Sequence, residues 1–564
     1  MKYKKRQCIR LGGAAFYILA YAVFPAFAQD ILGPADASRI QQLGRPVIPD
    51  RPPAKFVVPE GQSSSVTIPD SAKQVKFTLS QIRLEGASNF TESELGAIYQ
   101  PYLNHEITLD IIWRIAGQIT ERYQNAGYFL SRAYVPAQEI DGGVVTIKVV
   151  EGYIGEVNVE DATLMEHLFV RQLIARIKDK RPLSAYDLES FMLQMNALPG
   201  FEFRAFVEPL KGVEDGVTRL SLHPQKETGN GLVSFDNFGS RFLGPHQATL
   251  TYQDSFLPLQ ETTLSGLTSI PTDEIKYLSL LHVVPIYPDW TIELSGSYST
   301  SAPGASLRPN DIKGNSRYIG LNINWKPIRQ RQENLTVSLD LTGKDANSDI
   351  LSNNPLMRDR IRVVRGRLGY DTSDSWNGHN YITFIASRGL NVLGASEDGD
   401  TNLSRAGAES DFSTAQFSYI RQQAISNNLT LIGQFSGQLA SGPLFSSEEF
   451  GYGGQTFGRA YDPSELTGDH GIAASLELRY LGIGVWQETN LVPYAFYDIG
   501  KVWNEDIGGI AESAAAAGLG VRVNHSSGFT GNLGLAYPLT HDISVPIYGN
   551  SINPRVLFHL GYGF

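Results

Sequence analysis

The chain has 564 residues, of which 10% are aromatic, 19% are charged and 55 are glycine. Such a composition excludes a disordered tail protein, and the length exceeds that of one ordinary domain. The 58 acidic side chains outnumber the 47 basic ones, for a formal net charge of −11. This balance argues against a nucleic-acid partner held by neutralised phosphates.

Residues 1–28 have the pattern of a secretory signal peptide. A basic end precedes an apolar stretch over 11–24, and Ala-Phe-Ala at 26–28 provides small residues before the cleavage point. We therefore expect an exported protein whose mature chain starts at Gln29. Cleavage also removes Cys8, the single cysteine, which excludes a disulfide framework, a thiolate metal site and a cysteine nucleophile.

The next segment is a poor candidate for a folded domain. A short helix is predicted within residues 29–44, over 34–43, with Gly44 at its end. Six prolines then fall within 45–75, which indicates an extended, Pro-rich linker. A tethered helix and a plain disordered N-terminus both fit this pattern.

Two α+β units follow, over residues 76–152 and 153–225. Each is predicted to contain a strand, two helices and two further strands, so the order β-α-α-β-β occurs twice. In the first unit Thr91 and Glu94 form a capping box at the start of a helix. The predicted strands cover 77–84, 131–135, 144–150, 154–159, 201–207 and 217–222, and the other predicted helices cover 108–125, 163–177 and 184–198.

Residues 226–564 consist of short alternating runs separated by Gly, Asn, Asp and Ser. In 335–341 four apolar residues alternate with three polar ones, and 472–480 has a similar pattern. A soluble β-sandwich also alternates. Many runs, however, carry an aromatic residue near one end, which favours a transmembrane β-barrel. The length suits about 16 antiparallel strands with apolar side chains outside, although 14 or 18 strands fit as well.

The end of the chain supports the same interpretation. Leu560, Tyr562 and Phe564 lie on one face of a strand that ends at the terminal carboxylate. Soluble domains rarely end on an exposed aromatic strand. We therefore interpret the C-terminal region as a membrane barrel.

Several segments resemble the outer-membrane transporters of two-partner secretion, the ShlB/FhaC/HecB family (TpsB type). Residues 127–136 and 143–156 are similar to the end of that family's first POTRA domain, a small periplasmic βααββ unit. Residues 233–244 resemble its first barrel strand and turn, and 494–503 resembles its strand with a Phe-x-Asp pattern. The resemblance covers essentially the whole mature chain and implies two periplasmic POTRA domains followed by the barrel.

The resemblance also identifies a long loop at about 451–471. In the family this loop carries a Gly-rich Val-Arg-Gly-Tyr/Phe element, and residues 453–461 occupy its place, with Gly458 where Val is usual and Ala460 where Gly is usual. The resemblance implies a loop motif of Gly453, Gly454 and Gly458, and a loop–barrel lock of Arg459, Tyr461, Phe496 and Asp498.

Alternation along 494–503 puts Phe496 and Asp498 on one face of a strand. A carboxylate facing lipid would cost several kcal/mol, whereas in the lumen it can accept a two-pronged guanidinium. We expect Arg459 to fold inward and pair with Asp498. The planar fork of an arginine suits this two-pronged contact, whereas Lys lacks such a fork. The alternative is a solvated Arg459 and an ordinary pore-lining Asp498.

The resemblance implies an outer-membrane translocator of a Gram-negative bacterium, not an enzyme, that needs neither ATP nor a cofactor. Its POTRA domains would recognise an unfolded exoprotein, which is an adhesin, a cytolysin or a contact-dependent toxin, and the barrel pore would export it. The short N-terminal helix would plug the pore. The other expected partners are outer-membrane lipids and the outer-membrane assembly machinery, for which Leu560, Tyr562 and Phe564 would be the signal.

Other functions are weighed against this one. An assembly insertase of the BamA or TamA kind shares the architecture but has more than two periplasmic repeats, and the two units could also be mere rigid spacers. A passive porin would lack the repeats. A barrel enzyme has only Asp469 and His470 as a suggestive pair, and a solvated loop histidine is the simpler interpretation of the latter.

Overall fold

The computed structural model describes residues 35, 39, 70–210, 215–270, 274–351, 354–397, 399–486, 488–505, 511–540 and 553–564. The predicted signal peptide lies outside these residues, as does the predicted linker up to residue 69. Of the predicted N-terminal helix, only Ala35 and Arg39 are described.

The first α+β unit packs two helices on a three-stranded sheet. β2 runs parallel to β5 and β4 runs antiparallel to it, while β1 pairs separately with β3. The predicted first strand is divided in two because Leu79 turns into the core and its N–H donates to the His105 carbonyl at 3.1 Å. The predicted capping box of Thr91 and Glu94 is present. The elements are β1 (Lys76–Thr78), β2 (Gln81–Glu85), α1 (Glu92–Tyr99), β3 (Glu106–Thr108), α2 (Leu109–Asn125), β4 (Arg132–Tyr134) and β5 (Val144–Val150).

The second α+β unit has the sheet order β6–β8–β7, again with one parallel and one antiparallel pair. The helix predicted from residue 163 begins later, because His167 is extended and separates a short 3-10 helix, Ala162–Glu166, from α3. Among the described helices, none is long and apolar enough to cross a membrane. The elements are β6 (Tyr153–Val159), α3 (Leu168–Lys178), α4 (Ala185–Met195), β7 (Phe201–Pro209) and β8 (Val217–Lys226).

The rest of the described chain forms a closed antiparallel barrel of 16 long strands, so the predicted fold class is confirmed. The short strands β20 and β21 pair with each other, and β23 extends the sheet beside β24. The strands are β9 (Asn230–Asp236), β10 (Gln247–Leu257), β11 (Gln260–Ser269), β12 (Ile275–Tyr287), β13 (Trp290–Ser301), β14 (Lys313–Arg329), β15 (Glu333–Ile350), β16 (Asn354–Ser373), β17 (Gly378–Gly389), β18 (Ser413–Ser426), β19 (Leu429–Ala440), β20 (Phe450–Tyr452), β21 (Leu466–Gly468), β22 (His470–Tyr480), β23 (Ile483–Trp486), β24 (Thr489–Trp503), β25 (Ala511–His525), β26 (Phe529–Pro538) and β27 (Arg555–Gly563).

The barrel wall is apolar outside and polar inside. On β22 the outward side chain of Leu476 is 54% exposed, whereas that of the next residue, Glu477, is 4% exposed. On β15 Leu339 and Leu341 are exposed and Asp340 between them is buried. A sheet that faces lipid on one side and a lumen on the other requires this inverted pattern.

The second α+β unit is fastened to one end of the barrel, here called the proximal end. Leu259, in the turn between β10 and β11, is 5% exposed and packs into the hydrophobic core of the second unit. Arg176 on α3 binds Asp289 in the turn between β12 and β13, with Nη1 to Oδ2 at 2.7 Å, and lies over the Tyr287 ring. The turns of the wall therefore fix the unit at the mouth of the lumen.

Replacing Leu259 with Asn is expected to loosen this joint. Leu259 has a left-handed backbone with φ of 56° that Asn tolerates, so the variant removes about 2 kcal/mol of apolar burial without adding strain. Spin labels on D179C and N427C, in the mature chain that lacks Cys8, should give a broader distance distribution in the L259N background. The control is W376N on an exposed turn of the same end; an L259N distribution as narrow as the parent's would contradict the role of Leu259.

Candidate functional site: the lumen loop

One long connection folds into the barrel from the distal end, opposite the second α+β unit. Residues 441–469, which join β19 to β22 and are called the lumen loop below, contain the hairpin of β20 and β21. Tyr452 and Tyr461 of the loop are fully buried, and they pack in one apolar cluster with Phe496 and Ala516 of the wall. The loop starts earlier than the predicted 451, because β19 ends at Ala440.

The three predicted motif glycines form the tight turns of this loop. Gly453, Gly454 and Gly458 have φ of 120°, 102° and 70°, values that L side chains rarely adopt. A Cβ on Gly453 would also overlap the carbonyl oxygen of Asp462, and one on Gly458 would lie 2.7 Å from Cε1 of Tyr452. Gly458 is therefore required by its backbone and by its neighbour, although the family resemblance leads one to expect Val there.

The structure brings Arg459 onto Asp498, which is fully buried on the lumen side of β24. Nε of Arg459 donates to Oδ2 of Asp498 at 3.0 Å, and Nη2 donates to Oδ1 at 2.8 Å. The backbone N–H of Arg459 donates to the same Oδ2 at 3.1 Å, and Ser475 on β22 contributes its hydroxyl to Oδ1 at 2.7 Å. Asp498 thus accepts four hydrogen bonds, three of them from one residue of the loop.

The guanidinium of Arg459 is held on its other sides as well. Its Nη1 donates to Glu477 on β22, and its Cζ lies 3.6 Å from the centre of the Phe496 ring. Burial opposes protonation of Arg459, but Asp498 and Glu477 more than offset that effect, so the pKa of Arg459 is raised. Arg459 therefore stays charged. We call the side chains of Arg459, Asp498, Glu477 and Phe496 the lock cluster.

Glu477 connects the lock cluster to further cations of the wall. Nε of Arg479 donates to its Oε1 at 2.6 Å, and Nη1 of Arg522 on β25 donates to the same oxygen at 2.7 Å. Sequence analysis placed Glu477 on the polar face of its strand but gave it no role. Its partners come from two strands and the loop, and no local sequence pattern indicates that they come together.

Tyr461, the remaining residue of the predicted lock, anchors the loop to β25. Its hydroxyl donates to the carbonyl oxygen of Ala515 at 2.8 Å. Ala514 and Ala516 are buried beside it, so small side chains on this strand leave room for the loop. Tyr461 therefore contacts the wall two strands away from Ser475.

A second anchor lies where β27 meets β9 and was missed by sequence analysis. Nε of Arg241, in the connection after β9, donates to Oδ2 of Asp462 at 2.7 Å, and its Nη2 donates to Oε2 of Glu465 at 2.8 Å. Arg555 on β27 lies 3.4 Å from Oδ1 of Asp462. Burial raises the pKa of Glu465 to about 7, with Arg241 opposing the rise.

A third anchor involves Glu449 and Asp469, near the two ends of the lumen loop. It joins the loop to the connection between β17 and β18 and to the N-terminal segment. Arg405, in the connection between β17 and β18, pairs with Asp469 and lies 3.4 Å from Oε1 of Glu449. Arg39 is buried against the same region, donating to the carbonyl oxygens of Ser446 at 2.6 Å and Glu449 at 2.9 Å.

The other predicted residues lie elsewhere. Leu560, Tyr562 and Phe564 are exposed on the outer face of the last strand, and Phe564 exchanges backbone hydrogen bonds with Gly231 of β9. Asp469 and His470 do not form a dyad, because His470 stacks on the Trp503 ring and hydrogen-bonds to Glu505. Within the described ranges no group of His, Cys, Asp and Glu side chains could hold a metal ion.

Comparison with known proteins identifies the family. Residues 216–523 match the model of the haemolysin secretion/activation protein family ShlB/FhaC/HecB, and residues 77–152 match the ShlB-type POTRA domain. The heme/hemopexin transporter protein HuxB of Haemophilus influenzae is 22% identical over 84% of this chain and 85% of its own length. The outer membrane transporter CdiB of Dickeya dadantii is 24% identical over 76% of each chain.

A solved structure has the same fold. CdiB from Escherichia coli superposes with a TM-score of 0.69 at 18% identity, covering 96% of this chain and 98% of its own. The family match favours a secretion transporter over an insertase of the BamA or TamA kind. The chain thus belongs to the ShlB/FhaC/HecB family, the outer-membrane transporters of two-partner secretion, with its barrel in the outer membrane and its POTRA units in the periplasm.

Proposed function

We propose that the POTRA units of this chain capture one unfolded exoprotein and that the barrel exports it through the lumen without ATP. The observation that supports capture is the open edges of both sheets. Among the described residues, β2 and β4 each pair with one neighbour in the first sheet, and β6 and β7 do so in the second. Such an edge binds an extended chain through backbone hydrogen bonds and makes little demand on its sequence.

The cargo is an exoprotein of the two-partner type. HuxB is named a heme/hemopexin transporter and the Dickeya relative an outer membrane transporter, so the names of the relatives do not choose among an adhesin, a cytolysin and a contact-dependent toxin. Transport draws on the folding of the cargo at the cell surface, which opposes its return. No catalytic step is part of this proposal.

Two further partners belong to the proposal. Outer-membrane lipids contact the apolar outer face of the wall. The assembly machinery of the outer membrane recognises the last strand through Leu560, Tyr562 and Phe564, whose side chains are exposed on one face.

Deleting residues 77–152 is expected to abolish export while the barrel still inserts. The deletion removes the first sheet with its two edges but leaves the Leu259 joint of the second unit in place. Export is measured as surface or medium exoprotein, and insertion as heat-modifiable migration of the barrel in gels. An unrelated domain of equal length in place of 77–152 is the control; export through that chimera would favour rigid spacers.

The lock cluster is proposed to hold the lumen loop in the position that secretion requires. Breaking a buried ion pair by removing one partner costs about 3–5 kcal/mol, because it leaves a charge uncompensated. The neutral variant D498N would leave Glu477 as the only carboxylate that pairs with Arg459, and R459K would keep the charge but lose the two-pronged contact.

We expect D498N to abolish export and R459K to reduce it strongly. Hydrogen exchange of residues 453–468 should rise in both variants, because the loop leaves the wall. The control is R367Q, which removes a lumen arginine that pairs with Asp340 on another part of the wall at 3.2 Å. A charge-swapped R459D/D498R double variant that fails to restore any export would count against a direct pairing role.

We also propose that the N-terminal segment 29–44 plugs the lumen. Support comes from its two described residues: Ala35 packs with Phe242 and Leu307 in a buried cluster, and Arg39 binds the lumen loop near Glu449. Burial raises the pKa of Glu449 to about 7, while Arg39 and Arg405 oppose the rise and Asp469 adds to it.

We expect a lower pH to favour the release of Arg39 from the lumen loop. Burial raises the pKa of Glu449 to about 7, so lowering the pH through that value neutralises the carboxylate and removes its attraction to Arg39. The contribution of the Arg39–Glu449 pair to the plugged state is therefore present well above pH 7 and is lost as the pH falls through about 7.

Ion conductance across planar bilayers should consequently increase as the pH is lowered from about 9 to about 6. R39A should conduct more than the parent and lose this pH dependence, whereas R308A, which removes an exposed arginine of a distal connection, should retain it. Equal conductance of R39A and the parent at every pH would contradict the plug.

A further inference from the structure

Toward the extracellular end of the wall, the outer face formed by β14, β15 and β16 carries arginines on β14 and β16. Ile319 on β14 is 71% exposed, and Leu341 on β15 is also exposed, which identifies this face as the lipid-facing one. Side chains two residues apart share a face of a strand, so the same face continues toward the extracellular end through Arg317, Asp345 and Arg360. These three residues lie side by side, since Asp345 is opposite Arg317 on one neighbour and Arg360 on the other.

The nearby carboxylates are occupied by other cations. Nη1 of Arg362 binds Oδ1 of Asp345 at 2.7 Å, and Arg358 pairs with Asp349. Among the described residues, Arg317 has only the Tyr298 ring, 6.0 Å away, and the side chain of Arg360 has no ion pair. Two exposed guanidiniums, on strands about 10 Å apart, thus project from this face with no counter-ion of their own.

The backbone beneath this pair is held in place. Ser396, in the connection between β17 and β18, donates its N–H to the carbonyl oxygen of Arg360 at 2.8 Å, and its hydroxyl accepts the N–H of Arg360 at 3.0 Å. The extracellular extension of β16 is therefore covered by a neighbouring connection along its edge, while its outer face stays open. The arginines are presented at a fixed height above the lipid-facing side chains.

We infer that this face binds a phosphorylated lipid of the outer leaflet, with its phosphate between Arg317 and Arg360 and its acyl chains on Ile319 and Leu341. A guanidinium fork matches the geometry of a phosphate, so the cationic surface suits the headgroup of such a lipid. The apolar surface next to it suits the acyl chains. A lumen-facing or loop-borne cluster would suit the cargo instead, but these side chains point away from the lumen. The inference depends on the outer-membrane location and not on the proposed cargo.

The test measures binding of diphosphoryl lipid A to the purified full-length mature chain by native mass spectrometry. The R317Q/R360Q double variant should bind roughly 10- to 30-fold more weakly, as expected for the loss of two interfacial cations. R317K/R360K should retain part of the affinity. The matched control R388Q, which removes an outward arginine paired with Asp411 on the next hairpin, should bind like the parent.

Several outcomes overturn the inference. Equal binding by R317Q/R360Q and the parent would do so, as would an equal loss in R388Q. Competition by inorganic phosphate at the affinity of the lipid would show a free-anion site instead.

Export measurements on the double variant separate this inference from the proposed function. Unchanged lipid binding with reduced export would show a contact with the exoprotein, whereas loss of lipid binding with normal export leaves the proposed function intact. If the double variant fails to fold by heat-modifiable migration, the single variants R317Q and R360Q give the same comparison.

Discussion

The closure of the sheet, by backbone pairing of β27 with β9, is the constraint on which the remaining structure depends. In lipid no water can pair with a free strand edge, so every backbone N–H and C=O of the wall must find a partner within the sheet. The first and last strands meet over a short stretch, from the pair of His559 with Asp236 to that of Gly563 with Leu232. Closure in turn creates an interior away from lipid, and at the depth of the hydrocarbon core the charged residues of the wall must face that interior.

The ion clusters of the lumen follow from that interior. Arg459 contacts two strands and Asp462 pairs with cations from two other places, so one loop binds the wall from β22 round to the connection after β9. Each contact pairs a buried charge with an opposite one, since a lone charge in such a place is costly. The aromatic rings of Phe496 and Tyr461 fill the spaces between these pairs, against the small residues of β25.

Sequence analysis predicted the parts of this structure that depend on local pattern. The alternation in 335–341 and 472–480 correctly identified the outer and inner faces, because a strand in a membrane wall leaves no other arrangement for Leu341 or Leu476. The break at Leu79 was missed, because its burial and its hydrogen bond to His105 set it. The extended His167 before α3 was missed as well. Family resemblance and strand alternation predicted the contact between Arg459 and Asp498, but not the further partners Glu477 and Ser475.

The remaining contacts could not be predicted from one sequence. Arg241 and Asp462 are more than two hundred positions apart, and Glu477 is shared by residues of two strands and a loop. Such pairs arise from the closure and register of the wall, and neither leaves a trace in local periodicity. The Gly458 that departs from the family pattern was noted as a departure, and its reason emerged only from the ring of Tyr452 beside it.

Asp462 of the lumen loop lies at the seam of the barrel, where the last strand, β27, pairs with the first, β9. It receives Arg241, from the connection after the first strand, and Arg555, from the last strand. The lumen loop thereby also joins the two sides of the seam from within the lumen. Without the loop, the seam would keep its main-chain pairs, the amide of Asn237, which bridges to Val556 and Phe558, and the bonds of Arg555 to the carbonyl oxygens of Asn237 and Gly239. The position of the lumen loop and the strength of the seam are consequently coupled in this molecule.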